Sequence, residues 1–128
     1  MSAAIPHVLV IDDNEAILDS VAMVLRWNAL RVSTTNRMED FAGEIGTMHP
    51  DLILLDKAMG WADGCDLCLG LKMDAATQHI PVIMLSAFQD VKERCLSAGA
   101  DAFLEKPFDI NELLQLVYSF TGSVQCVV

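Results

Sequence analysis

The sequence predicts a single α/β domain in which a parallel sheet is covered by helices on both faces. Five short apolar runs alternate along the chain with five segments whose apolar residues recur at helical spacing, and this alternation is typical of parallel sheets. Several of the runs are continuous rather than alternating, which indicates strands buried on both faces. The length of 128 residues is that of one domain with a real core.

The first half of the chain predicts three strands and two helices. The shorter and more polar second run suits an edge strand, and Asn36 with Glu39 three residues later predicts a capping box for the second helix. The predicted elements are a strand over His7 to Ile11, a helix over Asn14 to Trp27, a strand over Leu30 to Thr35, a helix from Asn36 to about Gly46, and a strand over Leu52 to Leu55.

The second half predicts two further strands and three helices. Pro81 falls near the start of a strand, where proline is tolerated, and Gly99 is placed to end the fourth helix. The predicted elements are a helix over Cys65 to Met73, a strand over Ile80 to Leu85, a helix over Gln89 to Ser97, a strand over Ala102 to Leu104, and a helix capped by Asp109 that ends near Phe120. A short apolar tail, Gly122 to Val128, follows.

Composition excludes several classes of protein. The net charge of −10 disfavours direct contact with nucleic acid, because phosphate contacts need Lys and Arg. No apolar run approaches the ~20 residues of a spanning helix, and no signal peptide is visible, so we expect a cytoplasmic protein without membrane contact. Cys65 and Cys68 form a C-x-x-C without a second ligand pair, which favours buried thiols over a metal or redox site.

Polar residues follow four of the five predicted strands. Asp12 and Asp13 follow the first strand and Asp56 the third, while Ser86 and Lys106 follow the fourth and fifth. The carboxyl ends of parallel strands are where ligands bind in open α/β sheets.

Three carboxylates in that crevice require protonation or a cation, because a pair at ~4 Å repels by roughly 4 kcal/mol at an effective dielectric constant of about 20. Oxygen ligands of this kind suit Mg²⁺. With Lys106 and the Ser86 hydroxyl they make a phosphoryl-transfer site, in which Asp56 is the candidate nucleophile.

At this point the motifs resemble a known family. The segments "VLVIDDNE", "LILLDKAMGWADG", "VIMLSA" and "AFLEKPF" are similar to those of the receiver domain of two-component response regulators, of the single-domain, chemotaxis-regulator-like type. The resemblance implies a flavodoxin-like (βα)5 three-layer sandwich with a five-stranded parallel sheet of order 2-1-3-4-5. It also implies one receiver domain over residues 1–128, with a core of about 7–120 and no output domain.

The resemblance assigns the nucleophile and the metal ligands. Asp56 would be the phosphoacceptor. Asp13 and Asp56 would bind Mg²⁺ directly together with the backbone carbonyl of Ala58, and Asp12 would act mainly through metal-bound water.

The resemblance also assigns the switch. Lys106 would pair with the phosphoryl oxygens through a cis bond to Pro107, and Ser86 would reach toward the phosphoryl group once it forms. Phe103 would swing inward on activation. The face formed by the fourth helix, fifth strand and fifth helix would then bind a partner.

The implied partners are a histidine kinase or histidine phosphotransfer protein and a downstream protein effector, with the chain itself a monomer or weak dimer. It would catalyse only its own phosphorylation and dephosphorylation and would not otherwise be an enzyme. The apolar residues Ala58 and Phe88 predict slow dephosphorylation, and Gly60 stands where the family usually has proline.

Three alternatives stay open. A small aspartate-nucleophile phosphohydrolase needs an acid/base carboxylate two residues after a first-strand nucleophile, and "DDNE" lacks that spacing. An FMN-binding protein needs a phosphate-cradling loop, which this acidic segment would repel. A receiver-like scaffold that acts without phosphorylation is disfavoured by the intact set of site residues.

Overall fold

The computed structural model describes residues 5–122, so Cys126 and most of the predicted apolar tail lie outside the described residues. Within them, five parallel strands form one sheet. These strands are β1 His7–Ile11, β2 Arg31–Thr35, β3 Leu52–Asp56, β6 Val82–Ser86 and β7 Ala102–Glu105. Two short strands, β4 Ala58–Met59 and β5 Ala62–Asp63, form a separate hairpin that the sequence did not predict.

The sheet order is β2-β1-β3-β6-β7. With the hairpin strands left out, this is the predicted order 2-1-3-4-5, and the flavodoxin-like fold is confirmed. The helices are α1 Glu15–Trp27, α2 Phe41–Met48, α3 Gly64–Met73, α4 Lys92–Ser97 and α5 Ile110–Thr121. None of the helices in residues 5–122 combines the length and the apolar character needed to cross a bilayer.

Helices pack on both faces of the sheet, which gives the predicted three layers. Side chains of a strand alternate between the two faces, so Val8 and Val10 of β1 join α1 and α5 in one core, while Leu9 and Ile11 join α2, α3 and α4 in the other. Every residue of β3 and β6 is buried, as the continuous apolar runs predicted.

The predicted start of α2 was wrong. Asp40, not Asn36, is its N-cap: the Asp40 carboxylate accepts a hydrogen bond from Gly43 N, and Glu44 accepts one from Asp40 N at 3.1 Å. Asn36 lies outside the helix, and its carbonyl accepts a hydrogen bond from Trp61 Nε1 at 2.7 Å. Asn36 and Asp40 are both acceptable N-caps on local grounds. The helix starts after Asp40, and the Asn36 carbonyl is instead engaged by Trp61.

Two smaller boundaries also differ. The fourth strand of the sheet begins at Val82 rather than Ile80, after Pro81. The predicted fourth helix is a 3₁₀ turn, Gln89–Val91, that leads into the six-residue α4. Gly99 follows α4 with φ +103°, a conformation that favours glycine, as predicted for the end of that helix.

Candidate functional site

Three of the predicted site residues meet at the carboxyl edge of the sheet. Lys106 Nζ lies 2.7 Å from Asp12 Oδ2 and 3.2 Å from Asp56 Oδ1. Asp12 is 1% exposed and Asp56 6% exposed. These residues are separated by 94 and 50 positions along the chain, and they meet because strands β1, β3 and β7 end at the same edge of the sheet.

The cluster holds two buried carboxylates against one ammonium group. Burial raises the pKa of Asp56 above its usual range, and the charge of Asp12 raises it further. Lys106 and a backbone hydrogen bond with Ala58 oppose that rise. The second oxygen of Asp12 accepts a hydrogen bond from Asn14 N at 2.9 Å. The excess of negative charge makes these oxygen donors suitable for a hard divalent cation such as Mg²⁺.

Asp13 points to the loop after β3. It is exposed, and its Oδ2 accepts a hydrogen bond from the backbone N–H of Gly60. No three acidic, His or Cys side chains within residues 5–122 are arranged so that they could hold a metal ion by themselves. A bound Mg²⁺ would therefore need backbone and water ligands beside the carboxylates, which is how Mg²⁺ is usually bound.

The loop after β3 is braced by contacts that sequence reasoning missed. Lys57 Nζ and Asp63 Oδ2 form an ion pair at 2.9 Å across the base of the hairpin. Gly64 packs so tightly on strand β3 that an added Cβ would lie 2.4 Å from the backbone oxygen of Asp56. A glycine at the start of a helix could have signalled this close approach, whereas nothing in the spacing marks the ion pair.

Ser86 lies at the end of β6, but its hydroxyl is engaged locally. It accepts a hydrogen bond from Phe88 N at 3.0 Å and lies 3.3 Å from Phe88 O. Phe103, the predicted switch residue, is half-buried in β7 and packs against the core on the side of α2, α3 and α4. The bond between Lys106 and Pro107 is cis, as the resemblance implied.

Trp61 connects the loop to the start of α2. Besides the hydrogen bond to the Asn36 carbonyl, its ring lies 6.4 Å from that of Phe41, at 53°. The loop that contains Ala58 and Gly60 is thereby tied to a neighbouring connection at the same edge of the sheet.

Comparison with known proteins identifies the family. The family model described as "Response regulator receiver domain" matches residues 8–118. The transcriptional regulator RpaA of Synechocystis sp., named as DNA-binding, is 35% identical over 116 residues, which are 88% of this chain and 47% of that protein. The response regulator MprA of Mycolicibacterium vanbaalenii is 34% identical over 110 residues, which are 84% of this chain and 47% of that protein. The chain thus spans about half the length of these relatives.

Solved structures agree with this match. The receiver domain of the sensor histidine kinase PA1611 of Pseudomonas aeruginosa PAO1, described with a magnesium ion in its active-site cleft, is 26% identical, with a TM-score of 0.83 over 94% of this chain and 100% of that one. The chemotaxis protein CheY4 of Vibrio cholerae has the same fold. Its TM-score is 0.82 at 24% identity, over 91% of this chain and 99% of that one. The chain belongs to the family of response regulator receiver domains.

Proposed function

We propose that this receiver domain accepts a phosphoryl group on Asp56, in an Mg²⁺-dependent transfer from a phosphohistidine of a histidine kinase or histidine phosphotransfer protein. The observation that carries the proposal is the contact of Lys106 with two buried carboxylates, Asp12 and Asp56, at the carboxyl edge of the sheet. A structural ion pair needs one carboxylate, whereas a phosphoryl site needs a nucleophile, a cation-binding acid and a fixed positive charge.

Each residue of the site would have a role in the phosphoryl transfer that follows from its position. Asp56 stands on a fully buried strand, so its carboxylate is held in place for in-line attack on phosphorus. The attack forms the bond between the Asp56 carboxylate oxygen and phosphorus, and the bond from phosphorus to the donor histidine breaks. Lys106 would move with the new charge and pair with the phosphoryl oxygens.

Mg²⁺, when bound, would neutralise charge on the transferring group. Asp12, Asp13, Asp56 and the carbonyl of Ala58 are the groups that would hold it. Ala58 is exposed and its N–H already bonds to the Asp56 carboxylate, so the loop's backbone is close to the nucleophile. Asp13 would turn from the Gly60 N–H toward the ion.

Signalling would require several groups together. Moving a two-state equilibrium from 1:99 to 99:1 needs ~5.5 kcal/mol, and one hydrogen bond to a charged group contributes ~1.5–3 kcal/mol. Rotation of Ser86 away from Phe88 therefore cannot suffice. We infer that Ser86, Lys106 and the repacking of Phe103 share the switch, and that α4, β7 and α5 present the altered face to a protein effector.

Several finer predictions remain part of the proposal. The domain would act in the cytoplasm as a monomer or weak dimer, without turnover of other substrates. The net charge of −10 disfavours direct nucleic-acid contact by the domain itself. The DNA-binding named for RpaA belongs to a protein about twice as long, so an output domain in the full protein is compatible with this chain's role.

The experiment is phosphorylation by acetyl phosphate, followed by intact mass spectrometry. We expect the wild-type chain to gain the mass of one phosphoryl group when Mg²⁺ is present and none when EDTA replaces it. Asp56→Asn should gain none, while the control Asp19→Asn, on an exposed position of α1, should behave as wild type. A wild-type chain that stays unmodified would favour the scaffold without phosphorylation.

A further inference from the structure

Helices α3 and α4 contact each other through two cysteine side chains that the proposed phosphoryl transfer does not use. Cys65 lies in the first turn of α3 and Cys95 in the middle of α4, and their Sγ atoms are 3.3 Å apart. Both are buried, at 3% and 0% exposure, although 30 residues separate them in sequence. Two thiols in direct contact need only a small approach to reach the length of a covalent bond between sulfurs.

Cys95 places the short helix α4 against the core on the side of α2 and α3. Of the six residues Lys92–Ser97, Cys95 is the only buried one. The preceding 3₁₀ turn has no side-chain cap and no buried residue. Elements with few buried contacts open locally at a small fraction of the global unfolding free energy. We therefore expect α4 to open often enough to expose both thiols.

Opening also decides when the thiols can react. Burial raises the pKa of Cys95 to about 12, and its hydrogen bond with Cys65 acts in the same direction, so little thiolate exists in the closed arrangement. The thiolate is the reactive form. Oxidation would thus proceed through the open form of α4 and be slow, while closing of α4 would bring the two sulfurs together.

We propose that Cys65 and Cys95 are an oxidation-sensitive pair, which a peroxide converts to a disulfide that fastens α4 to the first turn of α3. One thiolate attacks a peroxide oxygen and cleaves the O–O bond, which gives a sulfenic acid and hydroxide. The hydroxide takes up the proton that the thiol had lost and becomes the first water. The other thiol then displaces the hydroxyl group, which leaves as a second water, and the S–S bond forms. Two thiols are oxidised and one hydrogen peroxide is reduced to two waters.

The disulfide would restrain a region close to the phosphoryl site. Asp63, which caps α3 through the Cys65 N–H at 2.8 Å, also lies 3.4 Å from Arg94 of α4. Gly64, between Asp63 and Cys65, packs on the backbone of Asp56. A covalent bond here would hold α4 against the helix that begins beside the nucleophile. Formation of the disulfide does not depend on the proposed phosphorylation.

The test uses the full chain with Cys126→Ser, which leaves three thiols. The protein is treated with hydrogen peroxide and then denatured in the presence of N-ethylmaleimide, which alkylates free thiols. Its intact mass is then measured by mass spectrometry. We expect one maleimide adduct in place of three, and peptide mapping should join Cys65 to Cys95. The matched control adds Cys68→Ser, one turn further along α3, and should still form the disulfide, whereas added Cys65→Ser or Cys95→Ser should abolish it.

Two further measurements establish that the fold directs the reaction. The same oxidation in concentrated guanidinium should lose the preference for the Cys65–Cys95 pair. Amide hydrogen exchange over Lys92–Ser97 should slow in the oxidised protein by tenfold or more relative to the reduced one. Three maleimide adducts after prolonged oxidation, a disulfide that needs Cys68, or unchanged exchange in α4 would each overturn the proposal.

Discussion

Replacement of Lys106 by methionine tests the electrostatics of the site most directly. At an effective dielectric constant of about 20, Coulomb's law gives roughly 6 kcal/mol for the 2.7 Å contact of Lys106 with Asp12 and roughly 5 kcal/mol for the 3.2 Å contact with Asp56. Desolvation of the three charges offsets much of this attraction. Removal of one partner from a buried ion pair costs ~3–5 kcal/mol, and we expect Lys106→Met to lower the free energy of unfolding by about that amount at pH 7.5.

The loss should depend on pH and on Asp56. The folded-state pKa of Asp56 is raised, so its contribution to stability is fully present below its unfolded pKa and is lost as pH rises through the folded value. Without Lys106 that folded pKa rises further, and the destabilisation should shrink when the pH falls from 7.5 toward 4.5. For the same reason Asp56→Asn should recover part of the loss in the double variant, with a coupling free energy of ~1–3 kcal/mol.

The assay is urea unfolding followed by far-UV circular dichroism, for the wild type, both single variants and the double variant at each pH. Lys92→Met removes an exposed lysine of α4 and should change the free energy of unfolding by less than about 0.5 kcal/mol. The reasoning is refuted if Lys106→Met stays within that range at pH 7.5. It is also refuted if the double variant is as unstable as Lys106→Met alone.

Three further predictions concern the loops around the site. Gly60→Pro removes the N–H that donates a hydrogen bond to Asp13, so Mg²⁺ should bind to this variant about tenfold more tightly (~1.4 kcal/mol) than to Gly60→Ala, which keeps that donor. Trp61 fluorescence measures both affinities, and equal values would contradict a competition between the Gly60 N–H and Mg²⁺ for Asp13. Ser86→Ala should weaken the amide chemical-shift changes that phosphorylation causes in β7 and α5, and a full response would show that the hydroxyl is dispensable. Phe88→Asn should shorten the life of the phosphorylated form seen by intact mass, because an amide can orient water, and an unchanged decay would argue against shielding by Phe88.

Much of the fold could be predicted because it follows from local patterns of apolar residues. Continuous apolar runs identify strands that are buried on both faces, and helical spacing identifies the segments between them. The site followed from the same patterns, because parallel strands end at one edge. Asp12 and Asp56 directly follow an apolar run, and Lys106 comes two residues after one. The start of α2 could not be decided locally, since Asn36 and Asp40 are both acceptable caps.

The sequence by itself determined the five strands of the main sheet, the existence of the helices between them and the edge at which the charged residues collect, since hydrophobic burial acts on every residue of a periodic pattern. Only the tertiary structure decided the individual contacts between residues of different segments. The Gly60 hydrogen bond to Asp13 and the meeting of Cys65 with Cys95 join residues 47 and 30 positions apart. No period marks such pairs, because each depends on how two loops or helices are placed once the core has packed.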